Sequence, residues 1–128
     1  MPHTPIQTEL APHAIGPYSQ GVSVPAGRLV FLSGQIALDP RTGDLLGGEA
    51  AAQAERVMEN LGAVLRAASL EFKDVVRCTI YLTDLSEFAA VNAVYGRYFA
   101  GPPPARTTVQ VAALPRGARV EIDAIAVG

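Results

Sequence analysis

The chain carries one cysteine, Cys78, which excludes an internal disulfide and a cysteine-built metal cluster. It has no apolar run of the length that crosses a bilayer. It has no basic block either: ten Lys and Arg stand against twelve Asp and Glu, for a net charge of −2. Nucleic-acid binders normally show a basic patch or stripe, so this balance argues against that class. The start, Met1-Pro2-His3-Thr4-Pro5-Ile6-Gln7, lacks the basic and apolar regions of a signal peptide. Charged residues make up only 17% of the chain, and no charge run or disordered tail stands out. What is present is 49% apolar residues in a length of 128. That suffices for one domain over residues 1–128, burying more than half the surface of its unfolded chain. A soluble, cytoplasmic protein is the simplest reading.

Hydrophobic periodicity divides the chain into strands and helices. Val22-Ser23-Val24 and the stretch Arg28 to Ile36 alternate as strands and read as a hairpin, turned by Pro25-Ala26-Gly27. From about Glu49 to Ala68, Val57, Leu61, Val64, Leu65 and Ala68 recur at helical spacing. Val76, Cys78, Ile80 and Leu82 alternate through a strand over 74–83, with Cys78 an inert small hydrophobe on the core stripe. Asp84 and Glu87 resemble a capping box. The helix they start runs to about Phe99, where Gly101 and Pro102-Pro103-Pro104 stop it. Strands near 106–113 and 119–127 finish the chain. The order β-β-α-β-α-β-β defines an α+β fold.

Side chains two apart in a strand point the same way. Val120, Ile122, Ala124 and Ala126 therefore make a core stripe, with Glu121, Asp123, Ile125 and Val127 on the other face. Leu29 and Phe31 are apolar opposite Val30 and Leu32. Strands apolar on both faces need cover on both, and two helices cover one. A second copy of the chain is the simplest cover, so a homo-oligomer is expected. Arg106 and Glu121 are expected together on the face away from the helices, beside Leu29, Phe31, Ser33 and Gln35. A guanidinium and a carboxylate so placed either pair with each other or together hold a small polar ligand.

At these residues the chain resembles the reactive-intermediate deaminases, the RidA/YjgF family. The matching segments run from Ala14-Ile15-Gly16-Pro17-Tyr18-Ser19-Gln20-Gly21 through Phe31-Leu32-Ser33-Gly34-Gln35-Ile36 and Ala52-Gln53-Ala54 with Asn60-Leu61. They continue through Val91-Asn92-Ala93-Val94-Tyr95 to Pro104-Ala105-Arg106 and Val120-Glu121-Ile122-Asp123-Ala124-Ile125-Ala126. The resemblance implies a chorismate-mutase-like fold, a mixed sheet of about six strands backed by two helices. It also implies a homotrimer through the open sheet faces, with sites at the subunit boundaries. The implied activity is hydrolysis of 2-imino acids or their enamines, such as 2-iminobutanoate and 2-iminopropanoate, to 2-oxo acids and ammonia. No metal or organic cofactor is implied.

Carried over by motif, Arg106 binds the substrate carboxylate and Glu121 holds or polarises the attacking water. Tyr18 lines the pocket. Ser33, Gly34 and the backbone at Thr108 offer polar groups, and Asn92 supports. A protonated imine is already electrophilic, so positioning and one oriented water suffice. Two departures stand out. Thr108 replaces a cysteine frequent in the family, and the segment from Phe99 to Arg106 is short and proline-rich. Other readings keep the same residues. A non-catalytic trimer that binds small carboxylates or acts as a chaperone would use Arg106 too. A ribonuclease or translation inhibitor finds no basic stripe, stacking row or strand-borne histidine pair. Singly, Tyr18 reads as a turn aromatic, Gly34 as relief of crowding, and Asn92 as a solvated helix residue.

Overall fold

The computed structural model describes residues 3–25 and 27–128. Met1, Pro2 and Ala26 lie outside the described residues, so the start of the chain and the centre of the Pro25-Ala26-Gly27 turn fall there. The elements run β1 (Thr4–Ile6), β2 (Gly21–Ser23), β3 (Leu29–Gln35), α1 (Ala50–Ala67), β4 (Val75–Leu82), α2 (Phe88–Gly96), β5 (Ala105–Gln110) and β6 (Val120–Val127). The fold is mixed α+β. Among the described residues six strands form two sheets: β1 pairs with β2, and the other four follow the order β3-β6-β4-β5.

The hairpin expected between Val22-Ser23-Val24 and β3 is not the pairing found. Strand β2 pairs antiparallel with β1, Thr4 opposite Ser23, while β3 pairs with β6. The six strands therefore do not join into one sheet. Three residues of β1, unmarked by hydrophobic alternation, compete successfully for β2. Strands β4 and β5 are parallel, and β4 and β6 antiparallel.

Helix α1 buries Ala50, Gln53, Ala54, Val57, Met58, Leu61, Gly62 and Leu65. That stripe meets the expected core face of β6, where Val120, Ile122, Ala124 and Ala126 are all buried. The opposite face stays open. Leu29 is 56% and Phe31 70% exposed, and both pair across to β6, at Val127 and Ile125. Among the described residues no helix is long and apolar enough to cross a membrane.

The second helix differs from the expected span over 84–99. It begins as a 3-10 turn, Leu85–Glu87, and ends at Gly96. Asp84 does cap that turn, its Oδ1 accepting from the Ser86 amide at 2.9 Å. Glu87 does not close a capping box. Its Oε2 accepts from the Ala50 amide at 2.8 Å, and its Oε1 from Arg119 Nη1 at 3.2 Å. Glu49, the residue before α1, supplies no side-chain cap, so a carboxylate from another element satisfies the first free amide and complements the helix dipole. Glu87→Ala should cost about 1–2 kcal/mol, the range of a lost N-cap. Urea unfolding would show this as a lower midpoint at unchanged m-value.

Candidate active site

Three prolines lead into β5. Pro104 is buried, and its carbonyl accepts from the Ser19 amide at 3.1 Å. The Ser19 hydroxyl donates to the Pro103 carbonyl, and Ser19 bridges in parallel to Ala105. These bonds dock the segment before β2 on the start of β5. Just upstream, the Tyr18 amide closes a tight turn on the Gly16 carbonyl at 2.8 Å, which sets the Tyr18 ring over Arg106.

Arg106 pairs with Cys78 in the parallel ladder, and Cys78 pairs with Ala124. Partners in a ladder point to the same face, so Arg106 lies on the helix side with the core stripe. Glu121 pairs with Tyr81, and its side chain is on the open side. The expectation that Arg106 and Glu121 share the open face is therefore corrected: they stand on opposite faces, two strands apart. They do not form a cross-strand ion pair.

The Arg106 guanidinium is held by neutral groups. Its Nη1 donates to Asn92 Oδ1 at 2.5 Å. Its Cζ lies 5.3 Å from the Tyr18 ring centroid, 5.5 Å from Phe88 and 5.2 Å from Tyr95. Phe88, Asn92 and Tyr95 succeed one another at four and three residues along α2, so one helix face supplies all three. Burial pushes the guanidinium's pKa down, an effect opposed by Tyr95, Tyr18 and Cys78. A guanidinium starts so high that it stays charged regardless. Among the described residues no carboxylate neutralises it. A half-buried cation with aromatic walls and no acid of its own is a receptor for an anion.

Beneath it, Tyr95 turns its hydroxyl towards the Cys78 sulfur. By ordinary geometry that hydroxyl makes no hydrogen bond, and sulfur is a weak partner. Burial, chiefly, raises the Cys78 thiol to about 12. The thiolate is the reactive form, so iodoacetamide at pH 8 should leave the folded protein unmodified by mass spectrometry and alkylate it only in denaturant. Thr108 lies two residues beyond Arg106 on the same face, its hydroxyl buried without a hydrogen-bond partner.

The other expected site residues sit elsewhere. The β3–β6 register shifts between Leu32 and Gln35, so one extra residue bulges β3 at Ser33-Gly34. The bulge turns Gln35 to pair with Ile122 on the core side, correcting its expected place on the open face. It also brings Gly34 against Glu121. A Cβ at Gly34 would lie 2.9 Å from Glu121 Cδ, so the glycine makes room for the carboxylate. Ser33, Gly34 and Glu121 thus form an acidic half-site at the β3 edge. Arg106, Asn92, Tyr18 and Thr108 form a cationic half-site at the β5 edge. Three strand spacings, roughly 14 Å, separate the edges.

Sequence reasoning missed Phe88 and Tyr95 as walls of the cation site. The available signal was Asn92, a polar residue set between them at helical spacing. Two cavities among the described residues, of about 600 and 240 Å3, are lined by other residues, apart from Tyr18 in the smaller. The guanidinium is not enclosed by its own chain. Among the described residues no cluster of His, Cys, Asp or Glu could hold a metal ion.

This α+β chain has close counterparts among known proteins. The chain belongs to the family described as Endoribonuclease L-PSP, whose profile matches residues 8–128, the family of the RidA/YjgF resemblance. It is 68% identical to Protein DfrA of Myxococcus xanthus over 122 residues, covering 95% of this chain and 93% of that protein. It is 51% identical to the 2-iminobutanoate/2-iminopropanoate deaminase of Mus musculus, over 95% of this chain and 89% of the relative. Among solved structures, RidA from an Antarctic Psychrobacter species superposes with a TM-score of 0.76 at 48% identity, covering 96% of this chain and 98% of the other.

Proposed function

We propose that this protein hydrolyses 2-imino acids, such as 2-iminobutanoate and 2-iminopropanoate, to 2-oxo acids and ammonia. The observation that carries the reading is the Arg106 guanidinium, oriented by Asn92 and three rings and without a counter-ion among the described residues. A planar fork in that state matches a carboxylate with two parallel hydrogen bonds. Relatives bearing the deaminase name at about half identity support the same substrate class.

In this reading the substrate carboxylate binds Arg106 and Glu121 orients the water. Water adds to C2 of the protonated imine, giving a carbinolamine. A proton passes to nitrogen, the C–N bond breaks, and ammonia leaves a 2-oxo acid. Since Arg106 and Glu121 lie on opposite faces of one sheet, the acid reaching a bound substrate comes from a neighbouring copy. The exposed Leu29 and Phe31 on the face that carries Glu121 support such an association. We take the assembly to be a homotrimer with its sites between chains, needing no metal or organic cofactor. Ser33 and Gly34 accompany Glu121; Tyr18 and Thr108 flank the bound acid.

The test couples a serine or threonine dehydratase to this protein and follows release of the 2-oxo acid. Acceleration by catalytic amounts of the protein is expected. Release at the spontaneous rate, with 2-oxo acids nonetheless bound through Arg106, would replace the enzyme by a carboxylate sensor.

A further inference from the structure

The larger cavity, about 600 Å3, lies away from Arg106, between the C-terminal half of α1 and the segment that follows α2. One wall is aromatic. The Phe72 ring centroid lies 5.2 Å from that of Tyr98 and 5.7 Å from that of Phe99. The floor includes Gly62 and Leu65 of α1. Glycine within a helix sacrifices helical propensity relative to alanine. At Gly62 a Cβ would stand 3.1 Å from Phe72 Cε2 and 3.2 Å from Arg66 Nη1, so the bare position lets ring and guanidinium approach the helix.

The charges on the rim are unbalanced. Glu71 is already engaged, capping the turn Phe72–Asp74 and lying 3.6 Å from Lys73 Nζ. Arg66 lines the same cavity and, among the described residues, pairs with no acid. His3 lines it as well. Its Nε2 lies 3.0 Å from the Pro102 carbonyl oxygen, and its Nδ1 is buried without a partner. A concave, mostly apolar space with a few convergent polar groups is the form of a small-ligand site.

We propose that this cavity is a second binding site, for a small aromatic carboxylate. The ring of the ligand packs against Phe72, Tyr98 and Phe99, and its carboxylate meets the Arg66 fork at the rim, where Lys73 offsets the charge of Glu71. The site is independent of the imine chemistry, whose aliphatic substrates bring no ring to fill an aromatic wall.

The probe is 2-naphthoate, titrated into the full chain and into the single variants Arg66→Glu and Arg106→Ala. Binding is followed by calorimetry and by the NMR signals of Leu65 and Phe99. Arg66 is exposed, so the first variant should keep the wild-type circular dichroism. The expected result is saturable binding that shifts Leu65 and Phe99, weakens at least about tenfold in Arg66→Glu, and is unchanged in Arg106→Ala. Lys73→Glu, at a second exposed rim position, should weaken it in the same direction. Several outcomes overturn the proposal. These are no binding at millimolar probe, equal binding by wild type and Arg66→Glu, or loss only in Arg106→Ala, which would place the probe at the other cation. Equal weakening by all three variants would also overturn it, since that reports overall charge.

Discussion

Arg106→Ala should lower kcat/KM for 2-iminobutanoate by about a thousandfold. The figure follows from two charge-assisted hydrogen bonds to the substrate carboxylate, each contributing about 1.5–3 kcal/mol, against about 1.4 kcal/mol per decade of rate. Truncation also removes the cation from between Tyr18, Phe88 and Tyr95, so no neighbouring group takes over its charge. Arg106→Lys should be milder, about tenfold to a hundredfold, because an ammonium keeps the charge and loses the parallel pair of bonds. Most of the lysine effect should fall on KM. The measurement is steady-state release of the 2-oxo acid, with light scattering to confirm that each variant assembles as wild type does. A rate for Arg106→Ala within a few-fold of wild type would remove the carboxylate-binding role.

The second large effect is a restoration. Glu121→Ala alone should lose about a hundredfold or more, the range of a positioned acid–base group. Arg106→Ala and Glu121→Ala proteins, unfolded together and refolded as a mixture, should nevertheless recover activity. With the acid and the cation on opposite sheet faces, the proposed site takes Arg106 from one chain and Glu121 from its neighbour. Random assembly of equal amounts joins an intact arginine to an intact glutamate at about one boundary in four, so about a quarter of wild-type activity should return. If both groups served from the same chain, every site in the mixture would carry one defect. Activity would then stay at the level of the single variants.

Much of this was legible in sequence because it is local. The alternation of β6 assigned Val120, Ile122, Ala124 and Ala126 to the core, since successive side chains point oppositely whatever the neighbours do. The α1 stripe was readable for the same reason at helical period. Arg106 stood out in its own strand, Asn92 and Tyr18 were named by the family motifs, and the three are together in space. What misled was phase between strands. Arg106 and Glu121 are each unambiguous within their own strand, yet β4 lies between β5 and β6. A one-residue change of register reverses every side chain's face. The bulge at Ser33-Gly34 is such a change, and it sent Gln35 to the core side while seating Gly34 against Glu121. Glu87 looked like a partner for its own turn and instead caps α1, thirty-seven residues earlier in the chain.

From composition and periodicity alone came the class of fold, two helices on one side of a sheet, an apolar second face, and Arg106 and Glu121 as the chemically interesting pair; the other site residues came from the resemblance to family motifs. Each depends on interactions a few residues long. The division of those residues into a cationic and an acidic half-site came only from tertiary structure. So did the aromatic walls around Arg106. Strand pairing, register and bulges are settled by contacts between distant segments, and no period within a single strand records which neighbour it will meet.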